Sequence, residues 1–292
     1  MQTIIRPLLG ASWGASAKAN TPVVQTDRDG VGLGPLKRSV MVLRTLATGG
    51  RKGMPLTHLA QRTGMTHSTV HRLLKQMLQE RLVQQDPETR LYKLGALAFE
   101  LGLAAEQQFS LRALCRRVVE RLAQDSGDAI YLVQRSGHEA VCIDRQVGPF
   151  PIRVLTLEVG GRRPLGLGAG GLAILAALPD EERNEMTGTV RPLIGSQWDF
   201  SEDSLDRSIE RTRRNGFAVI RNRITAGTTA VAVHVSDNLG RPIAALTLAA
   251  VNARMGDARI ERMHALLKDA ARNIEQLLGA EQPNSDSVRL LK

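Results

Sequence analysis

The amino-acid sequence predicts an α+β protein of two domains: a small N-terminal module of three helices and a β-hairpin, and a larger C-terminal domain of mixed helices and strands. Three observations support this prediction. The chain has 292 residues, more than one average domain, and its hydrophobic content of 42% is typical of globular proteins. Residues 35–95 contain three helical patterns followed by two strand patterns. Beyond residue 126, strand and helix patterns alternate.

The first domain, residues 35–95, has the pattern of a winged helix-turn-helix. Apolar residues recur at helical spacing at Val40, Leu43, Leu46 and Ala47, at Leu56, Leu59 and Ala60, and at Val70, Leu73, Leu74, Met77 and Leu78. Gly49 and Gly64 are expected to end the first two helices, and Thr66 to cap the third. Two short strands, 82–84 and 91–94, flank a turn that contains Asp and Pro, which predicts a hairpin.

The rest of the chain is divided by its hydrophobic pattern into a linker and a second domain. Residues 96–125 are predicted to form linker helices, and residues 126–280 the larger domain. Its predicted strands are 129–134, 139–145, 152–157 and one on each side of 237–240; its predicted helices are 172–178, after a glycine-rich bend at 160–171, 203–214 and 256–278. Residues 1–34 are expected to be a disordered extension and residues 281–292 a flexible tail.

The positive charge of the chain is concentrated in the first domain. The formal net charge is +10, and residues 37–95 contain eleven Lys and Arg but three acidic residues, so this segment carries +8. A basic excess favours a polyanionic partner, either nucleic acid or an acidic membrane surface. No apolar run approaches the roughly 18 residues that cross a bilayer. Positive charge in a helix-turn-helix domain favours double-stranded DNA as the partner. The alternative is that these basic residues only form an ordinary solvated surface.

The polar residues of the third helix are placed to contact DNA. In a helix-turn-helix the second helix of the pair enters the major groove with its N-terminal residues. The predicted DNA-binding residues are Thr66, His67, Ser68, Thr69, His71 and Arg72 on the third helix, and Arg90 and Lys93 on the hairpin. Arg72 is suited to a guanine edge or a phosphate. The alternative for each residue is an ordinary polar position on a surface helix.

Residues 56–95, LTHLAQRTGMTHSTVHRLLKQMLQERLVQQDPETRLYKLG, resemble the signature of the IclR family of bacterial transcriptional regulators. The matching positions are Gly64, Ser68, Thr69, Val70, His71, Arg72, Leu73, Leu74, Leu78, Tyr92, Leu94 and Gly95. The chain departs from the family at Arg81, where a glycine usually closes the helix. An arginine with positive φ there would cost about 1 kcal/mol relative to glycine. The resemblance implies a regulator that binds a pseudo-palindromic DNA operator.

The resemblance continues, less specifically, from residue 96 to residue 278, chiefly through the segments 159–176 and 216–249. It implies a GAF-like α/β domain that binds a small organic effector and forms a homodimer or homotetramer, with effector binding altering operator affinity. The effector-binding residues that it implies are Leu165, Gly168, Ala169, Ile220, Arg223, Ala230, Thr247 and Ala249.

Six positions in this region depart from the family pattern. Ile220 stands where the family often has an acid, Arg223 where it has glutamate and Ala230 where it has cysteine. Thr247 and Ala249 stand where it has two serines, and Gly166 where it has histidine. The loss of an acid and the gain of apolar groups argue against the family's small hydroxylated or oxo-acid ligands. A larger or more apolar effector, a carboxylate or an aromatic compound, is the hypothesis, with Arg223 as partner for a carboxylate. The alternative is that these positions only pack.

The sequence gives no indication of catalysis. It has no GxSxG elbow between a strand pattern and a helix pattern, and no HExxH or GxxxxGK[ST] pattern, and His138 and His234 are single histidines near strands. Cys115 and Cys142 are too far apart for a CxxC pair, which fits a reducing, cytoplasmic location. We therefore expect no enzyme, no cofactor or metal site and no membrane partner. The alternative is a metabolite-binding protein or enzyme whose N-terminal module serves protein interaction.

Overall fold

The computed structural model describes residues 4–5, 34–106, 111–197 and 202–280. These residues form two compact units, a smaller one that includes 34–106 and a larger one that includes most of the others. The segment expected to be a disordered N-terminal extension lies outside the described residues, apart from Ile4–Ile5 and Gly34. Ile4–Ile5 form a short strand, β1. The predicted tail, residues 281–292, also lies outside them.

The smaller unit has the predicted arrangement of three helices followed by a hairpin and a linker helix. Its elements are α1 (Pro35–Thr48), a 3₁₀ turn (Gly50–Lys52), α2 (Leu56–Thr63), α3 (His67–Gln79), β2 (Val83–Gln85), β3 (Tyr92–Leu94) and α4 (Ala96–Glu106). Strands β2 and β3 are antiparallel, with Val83 opposite Leu94. Met54 extends this pairing, because its backbone N–H and C=O both bond to Tyr92.

The core of the smaller unit is built from the apolar faces of α1, α2 and α3. Val42, Leu59, Val70 and Leu74 are fully buried, and Leu46 is nearly so. Helices α2 and α3 therefore pack the faces that their hydrophobic spacing predicts, and their polar residues face outward. In α1 the buried face differs from the predicted one, because Val42 and Leu46 are buried whereas Val40 is 37% exposed. This packing fixes the rotation of α3 about its axis.

The connection from α3 to the hairpin passes through a left-handed residue. Arg81 has φ +57°, a conformation that strains any residue with a Cβ. Its guanidinium forms an exposed ion pair with Glu100 at 2.8 Å, and its carbonyl accepts a hydrogen bond from the backbone N–H of Leu97. Arginine thus occupies the strained position that glycine would fill at lower cost.

The larger unit is a six-stranded sheet with helices on both faces. Its elements are α5 (Leu111–Ser126), β4 (Ala129–Ser136), β5 (Glu139–Val147), β6 (Arg153–Val154), β7 (Arg162–Pro164), α6 (Ala169–Ala177), α7 (Asp180–Gln197), α8 (Glu202–Asn215), β8 (Ala218–Arg221), β9 (Thr228–Ser236), β10 (Pro242–Val251), a 3₁₀ turn (Asn252–Arg254) and α9 (Asp257–Ala280). The strand order is β7-β5-β4-β10-β9-β8, and β1 and β6 form a separate parallel pair. Strand β10 is therefore central.

Alternate residues of β10 separate two apolar cores. Ala245 and Ala249 belong to the core between the sheet and helices α6, α7 and α8. Leu246 and Leu248 belong to the core that includes α5 and α9. This alternation is the period-2 pattern of a strand that is buried on both faces.

Four details of the larger unit differ from the sequence prediction. Helix α6 begins at Ala169, three residues before the predicted start, because its first turn contains glycines that the sequence prediction assigned to a bend. The third predicted strand, 152–157, is reduced to the two residues of β6. Helix α7 and strand β8 were not predicted. The predicted glycine-rich bend contains the short strand β7.

Candidate DNA-binding surface and ligand cavity

The N-terminal turns of α3 present polar side chains to solvent. Thr66, His67, Ser68, His71 and Arg72 are exposed, and Thr69 is half-buried. The opposite face of the same helix is buried in the core through the apolar stripe described above. The structure therefore brings the six predicted residues of α3 together on one accessible surface, which we call the α3 surface.

Thr66 organises the start of this surface. Its backbone is extended, and its Oγ1 accepts a hydrogen bond from the backbone N–H of Thr69 at 3.3 Å, as an N-cap does. The same Oγ1 donates to Thr69 Oγ1 at 2.9 Å and lies 3.1 Å from Ser68 Oγ. Three hydroxyl groups are thus held together at the helix N-terminus, where the helix dipole favours an anion.

The two predicted hairpin cations have different surroundings. Arg90 is exposed in the turn and has φ +59°. Lys93 is half-buried on β3, and its Nζ forms an ion pair with Asp86 at 3.2 Å. Asp86 also accepts hydrogen bonds from the backbone N–H groups of Glu88 and Thr89. The hydrogen bond from the Thr89 backbone N–H, followed by the contact with Lys93, lowers the pKa of the Asp86 carboxyl to about 2, so it stays ionised and fixes the turn. Lys93 therefore has a structural partner within the hairpin.

The larger unit contains a cleft of about 670 Å³, including its open mouth, between α6 and the sheet. We call it the ligand cavity. Seven of the eight predicted effector-binding residues line it: Gly168, Ala169, Ile220, Arg223, Ala230, Thr247 and Ala249. The eighth, Leu165, is fully buried in the core and is not part of the lining.

Further residues that the sequence prediction did not select complete the lining. They are Tyr131, Val133, Ala140, Val154, Thr156, Leu157, Arg163, Pro164, Gly170, Gly171, Ile224, Thr228 and Thr229. Most of these are apolar, so the cavity suits an organic ligand better than a hydrated ion. The charged groups among the described lining residues are two arginines, Arg163 and Arg223.

Arg223 follows strand β8 and reaches the cavity from that edge of the sheet. Its Nη2 donates to Ser208 Oγ of α8 at 3.3 Å. Burial, followed by the like charge of Arg211, lowers the pKa of Arg223 to about 10. The guanidinium remains protonated at neutral pH. A cation thus lies where the family pattern has glutamate.

Arg163 lies on β7, and the sequence prediction missed it because it falls in the glycine-rich segment. Its Nη2 donates to the backbone carbonyl of Thr156. Burial lowers the pKa of Arg163, because the charged guanidinium is removed from water. Tyr131 lies nearby, with its hydroxyl donating to Val154 O at 2.6 Å and accepting from the Thr156 N–H at 3.1 Å.

Helix α6 approaches the sheet closely at Gly170. A Cβ at this position would lie 2.6 Å from both Thr247 Oγ1 and Val133 Cγ2, so a side chain does not fit. Thr247, on the central strand β10, is 8% exposed. Its Oγ1 is buried and has no hydrogen-bond partner among the residues that the structure describes. A buried hydroxyl of this kind favours a ligand that bonds to it.

Gly166, where the family pattern has histidine, lies beside the cavity in the core. Its φ is +90°, and a Cβ would approach Leu205 Cδ1 to 2.8 Å. Glycine fits this position because it adopts a positive φ without strain and because there is no space for a side chain beside Leu205. The histidine of the family pattern has no counterpart at this position.

Comparison with known proteins identifies both units. The model of the IclR helix-turn-helix domain matches residues 35–87, and that of the bacterial transcriptional regulator IclR C-terminal domain matches residues 104–276, more than half of the chain. The chain belongs to the IclR family. It is a DNA-binding transcriptional regulator, as the resemblance implied.

Characterised relatives of this IclR-family regulator are similar over most of their length. The acetate operon repressor of Salmonella typhimurium is 28% identical over 252 residues, covering 84% of this chain and 89% of the relative. The transcriptional regulator KipR of Bacillus subtilis is 26% identical over 230 residues, covering 78% and 91%.

Solved structures share the fold. An IclR regulator from Alicyclobacillus acidocaldarius has a TM-score of 0.67 at 22% identity, covering 84% of this chain and 98% of its own. An IclR homologue from Microbacterium hydrocarbonoxydans, solved in complex with 4-hydroxybenzoate, has a TM-score of 0.63 at 23% identity, covering 85% and 100%. In the described part of this chain, no helix is long and apolar enough to span a membrane.

Proposed function

We propose that this regulator binds its operator through the α3 surface and the hairpin, and that a small organic effector in the ligand cavity changes its operator affinity. The observation that carries the DNA-binding part is the α3 surface itself. The first turns of this helix expose polar side chains, while its opposite, apolar face is buried in the core. A helix of this kind is rigid enough to enter a major groove and polar enough to read it.

Individual contacts follow from the chemistry of the side chains. Arg72 is the residue that we assign to a guanine edge, because its fork of donors matches the guanine acceptors. The hydroxyls of Thr66, Ser68 and Thr69 are assigned to a phosphate at the helix N-terminus. His67, His71 and Arg90 extend the contact surface, and Lys93 acts mainly by holding the hairpin turn through Asp86.

The ligand cavity supports the effector part of the proposal. It is concave and mainly apolar, and it contains a few polar groups, as small-molecule sites do. A related structure from the same family holds 4-hydroxybenzoate, an aromatic carboxylate. We place the effector-binding role on the lining residues and exclude Leu165, which packs in the core. The protein is then a ligand-responsive regulator rather than an enzyme, and it acts in the cytoplasm with the operator DNA.

Helix α4 supports a homo-oligomer. Phe99, Leu101 and Leu103 are 68%, 55% and 51% exposed on this helix. Phe99 and Leu103 are one turn apart and share a face of the helix, whereas Leu101 lies on the other side. Large apolar side chains that are exposed side by side mark an interaction surface. A second copy of the chain is the occupant that we propose, because a pseudo-palindromic operator presents two equivalent half-sites to a two-fold symmetric dimer.

Gel-shift measurement on the DNA upstream of the regulator's own gene tests the DNA-binding proposal. Arg72→Ala is expected to weaken specific binding by about 1–3 kcal/mol and to relax the preference at one base pair. Gln79→Ala, at the exposed C-terminal end of the same helix, is the matched control and should bind as the wild type does. Sequence-independent binding at moderate salt, or an unaltered Arg72→Ala variant, would contradict the assignment.

A further inference from the structure

Arg163, on β7, is a half-buried cation in the lining of the ligand cavity. Its Nη2 donates to the backbone carbonyl of Thr156. Within the described part of the chain Arg163 forms no ion pair with an acidic residue, and none of the described lining residues is acidic. A guanidinium that is withdrawn from water without an anionic partner is costly, so an anion beside it would be favourable.

The guanidinium of Arg163 lies beside the start of helix α6. A Cβ on Gly168, the N-cap of this helix, would lie 3.8 Å from Arg163 Nη1. Because Gly168 provides no side-chain cap, the first amide N–H groups of α6 have no partner within the helix. These amide groups and the positive end of the helix dipole favour an anion in the region that the guanidinium also reaches.

Thr247, on the central strand β10, contributes a buried hydroxyl to the same helix start. Thr247 is 8% exposed, and its Oγ1 would lie 2.6 Å from a Cβ on Gly170, the second residue of α6. This Oγ1 has no hydrogen-bond partner among the described residues, although Thr247 lines the cavity. A ligand oxygen that accepts a hydrogen bond from it would satisfy the hydroxyl. The guanidinium, the helix amides and the hydroxyl are all able to donate hydrogen bonds.

Arg223, the other arginine of the lining, is held by the protein itself. Its Nη2 donates to Ser208 Oγ at 3.3 Å, and it has a further interaction within the described chain. The helix start and the Thr247 hydroxyl, which both point to a ligand, are connected to Arg163 through the first turn of α6. We therefore place the anionic group of a ligand at Arg163.

We infer that Arg163 is the cationic partner that makes this regulator selective for a carboxylate effector, whose acid group lies at the start of α6 and whose body is apolar. The inference rests on the proposed function, in which the cavity is the effector site. A carboxylate fits a group of donors because it only accepts hydrogen bonds, whereas a carboxamide of the same shape also presents an NH₂ donor to them. Ile220, Ala230 and Ala249, which line the cavity, contact the apolar body.

Isothermal titration of the full chain with matched acids and amides tests the inference. The pairs are 4-methylbenzoate with 4-methylbenzamide, and hexanoate with hexanamide, whose members have the same shape and differ in charge. A charge-assisted hydrogen bond to the guanidinium should make at least one acid bind about tenfold more tightly than its amide. If neither acid binds more tightly than its amide, the inference is overturned.

Charge variants distinguish a ligand-binding role of Arg163 from a structural one. Arg163→Gln should remove the preference for the acid and leave amide binding in place. Arg163→Lys keeps the positive charge and should keep a preference for the acid, even if the hydrogen bond to Thr156 is lost. Arg207→Gln, at an exposed position of α8, is the matched control and should retain the wild-type preference. A preference that survives Arg163→Gln, or one that disappears in Arg163→Lys, would overturn the inference.

Two further variants locate the acid group within the cavity. Thr247→Val keeps the shape of the side chain and removes the hydroxyl. Both members of a pair should then bind about fivefold more weakly, because the amide oxygen accepts the same hydrogen bond as the acid. Arg223→Gln should keep the preference for the acid. Unchanged affinities in Thr247→Val, or a preference that is lost in Arg223→Gln and kept in Arg163→Gln, would place the acid group elsewhere and reject the inference.

A parallel gel shift without ligand keeps the two proposals distinguishable. Specific operator binding by a wild type that shows no preference for an acid would sustain the DNA-binding proposal and reject the role of Arg163. An acid preference that depends on Arg163, in a wild type that ignores the operator, would do the reverse. Circular dichroism of each variant establishes that a loss of binding is not a loss of fold.

Discussion

Gly170 is the residue on which the close approach of α6 to the sheet depends. Gly170→Ala places a methyl group 2.6 Å from Thr247 Oγ1 and Val133 Cγ2, which belong to β-branched side chains that are 8% and 5% exposed. We expect it to lower the free energy of unfolding by about 1–3 kcal/mol, the usual cost of overpacking. Thermal denaturation measures the effect.

A second glycine provides the matched control. Gly188 lies in the interior of α7 and is exposed, and a Cβ added to it would have no neighbouring atom within 4 Å. Gly188→Ala should therefore stabilise the protein by about 0.5–1 kcal/mol through helix propensity alone. If both variants shift the melting temperature in the same direction, the close approach at Gly170 is not the cause.

Histidine burial gives the larger unit an acid-sensitive stability. His264 stacks on Phe217, with ring centroids 4.1 Å apart, and burial, followed by Lys268, lowers its pKa below the ordinary 6.5. The folded state therefore takes up the proton less readily than the unfolded state. Its stability contribution is present above about pH 6.5 and is lost as the pH falls through the lowered folded pKa.

His264→Phe keeps an aromatic ring against Phe217 and removes this titration. The free energy of unfolding, measured by urea denaturation at pH 7.5 and pH 5.5, should fall less between these values for the variant than for the wild type. Half-buried His234, whose pKa is also lowered by desolvation, preserves part of the slope. An unchanged slope in the variant would show that His264 does not contribute.

At the residue level, the sequence predicted polar exposed positions better than cavity positions. The α3 residues follow from helical spacing, because a buried stripe determines which side chains face outward. Arg163 could not be selected in this way, since its role depends on β7 lying at a sheet edge over a cavity. Thr247 could be named only through the family resemblance, and its hydroxyl without a described hydrogen-bond partner is a property of the packed structure.

At the level of elements, α7 shows why periodicity alone was insufficient. The helix contains Gly188, Pro192 and Gly195, residues that lower the predicted helical propensity. Acidic residues in its first turn favour the helix start, and Val190 and Ile194 are buried at a spacing of four. Tertiary packing of these two residues thus outweighs a weak local pattern.

The turn after α3 is the element in which local strain can be measured. Arg81→Gly relieves the positive φ but loses the ion pair with Glu100, whereas Arg81→Ala loses only the ion pair. The glycine variant is expected to be more stable than the alanine variant by about 1 kcal/mol. The exposed ion pair contributes little, so the alanine variant should lie close to the wild type.

Urea denaturation of the two Arg81 variants makes the comparison. A glycine variant no more stable than the alanine variant would mean that the backbone strain is relieved in another way. Gly95 must be kept in both, because a Cβ there would lie 2.2 Å from the carbonyl oxygen of Arg81.

In the whole molecule, strand β10 lies between the ligand cavity on one face of the sheet and the core that includes α5 on the other. Helix α5 is the first helix of the larger unit after the DNA-binding unit in sequence. Thr247 and Ala249 line the cavity, and the alternating Leu246 and Leu248 pack in the core that includes α5. A ligand alters operator affinity only if it binds the DNA-competent and incompetent arrangements with different affinity.

Oligomerisation is the property of the whole molecule that the exposed face of α4 predicts. Replacing Phe99 and Leu103 with glutamate places two charges on a surface that a second copy is proposed to cover. Light scattering after size-exclusion chromatography should then give the mass of a smaller species than the wild type forms. Operator affinity should fall by a factor of about 100 or more, because two linked half-site contacts become single ones.

Leu239→Glu, at a 71% exposed residue in the β9–β10 turn, is the control and should keep the wild-type mass. If the double variant also keeps that mass, α4 is not the interface, and its apolar face is covered in another way.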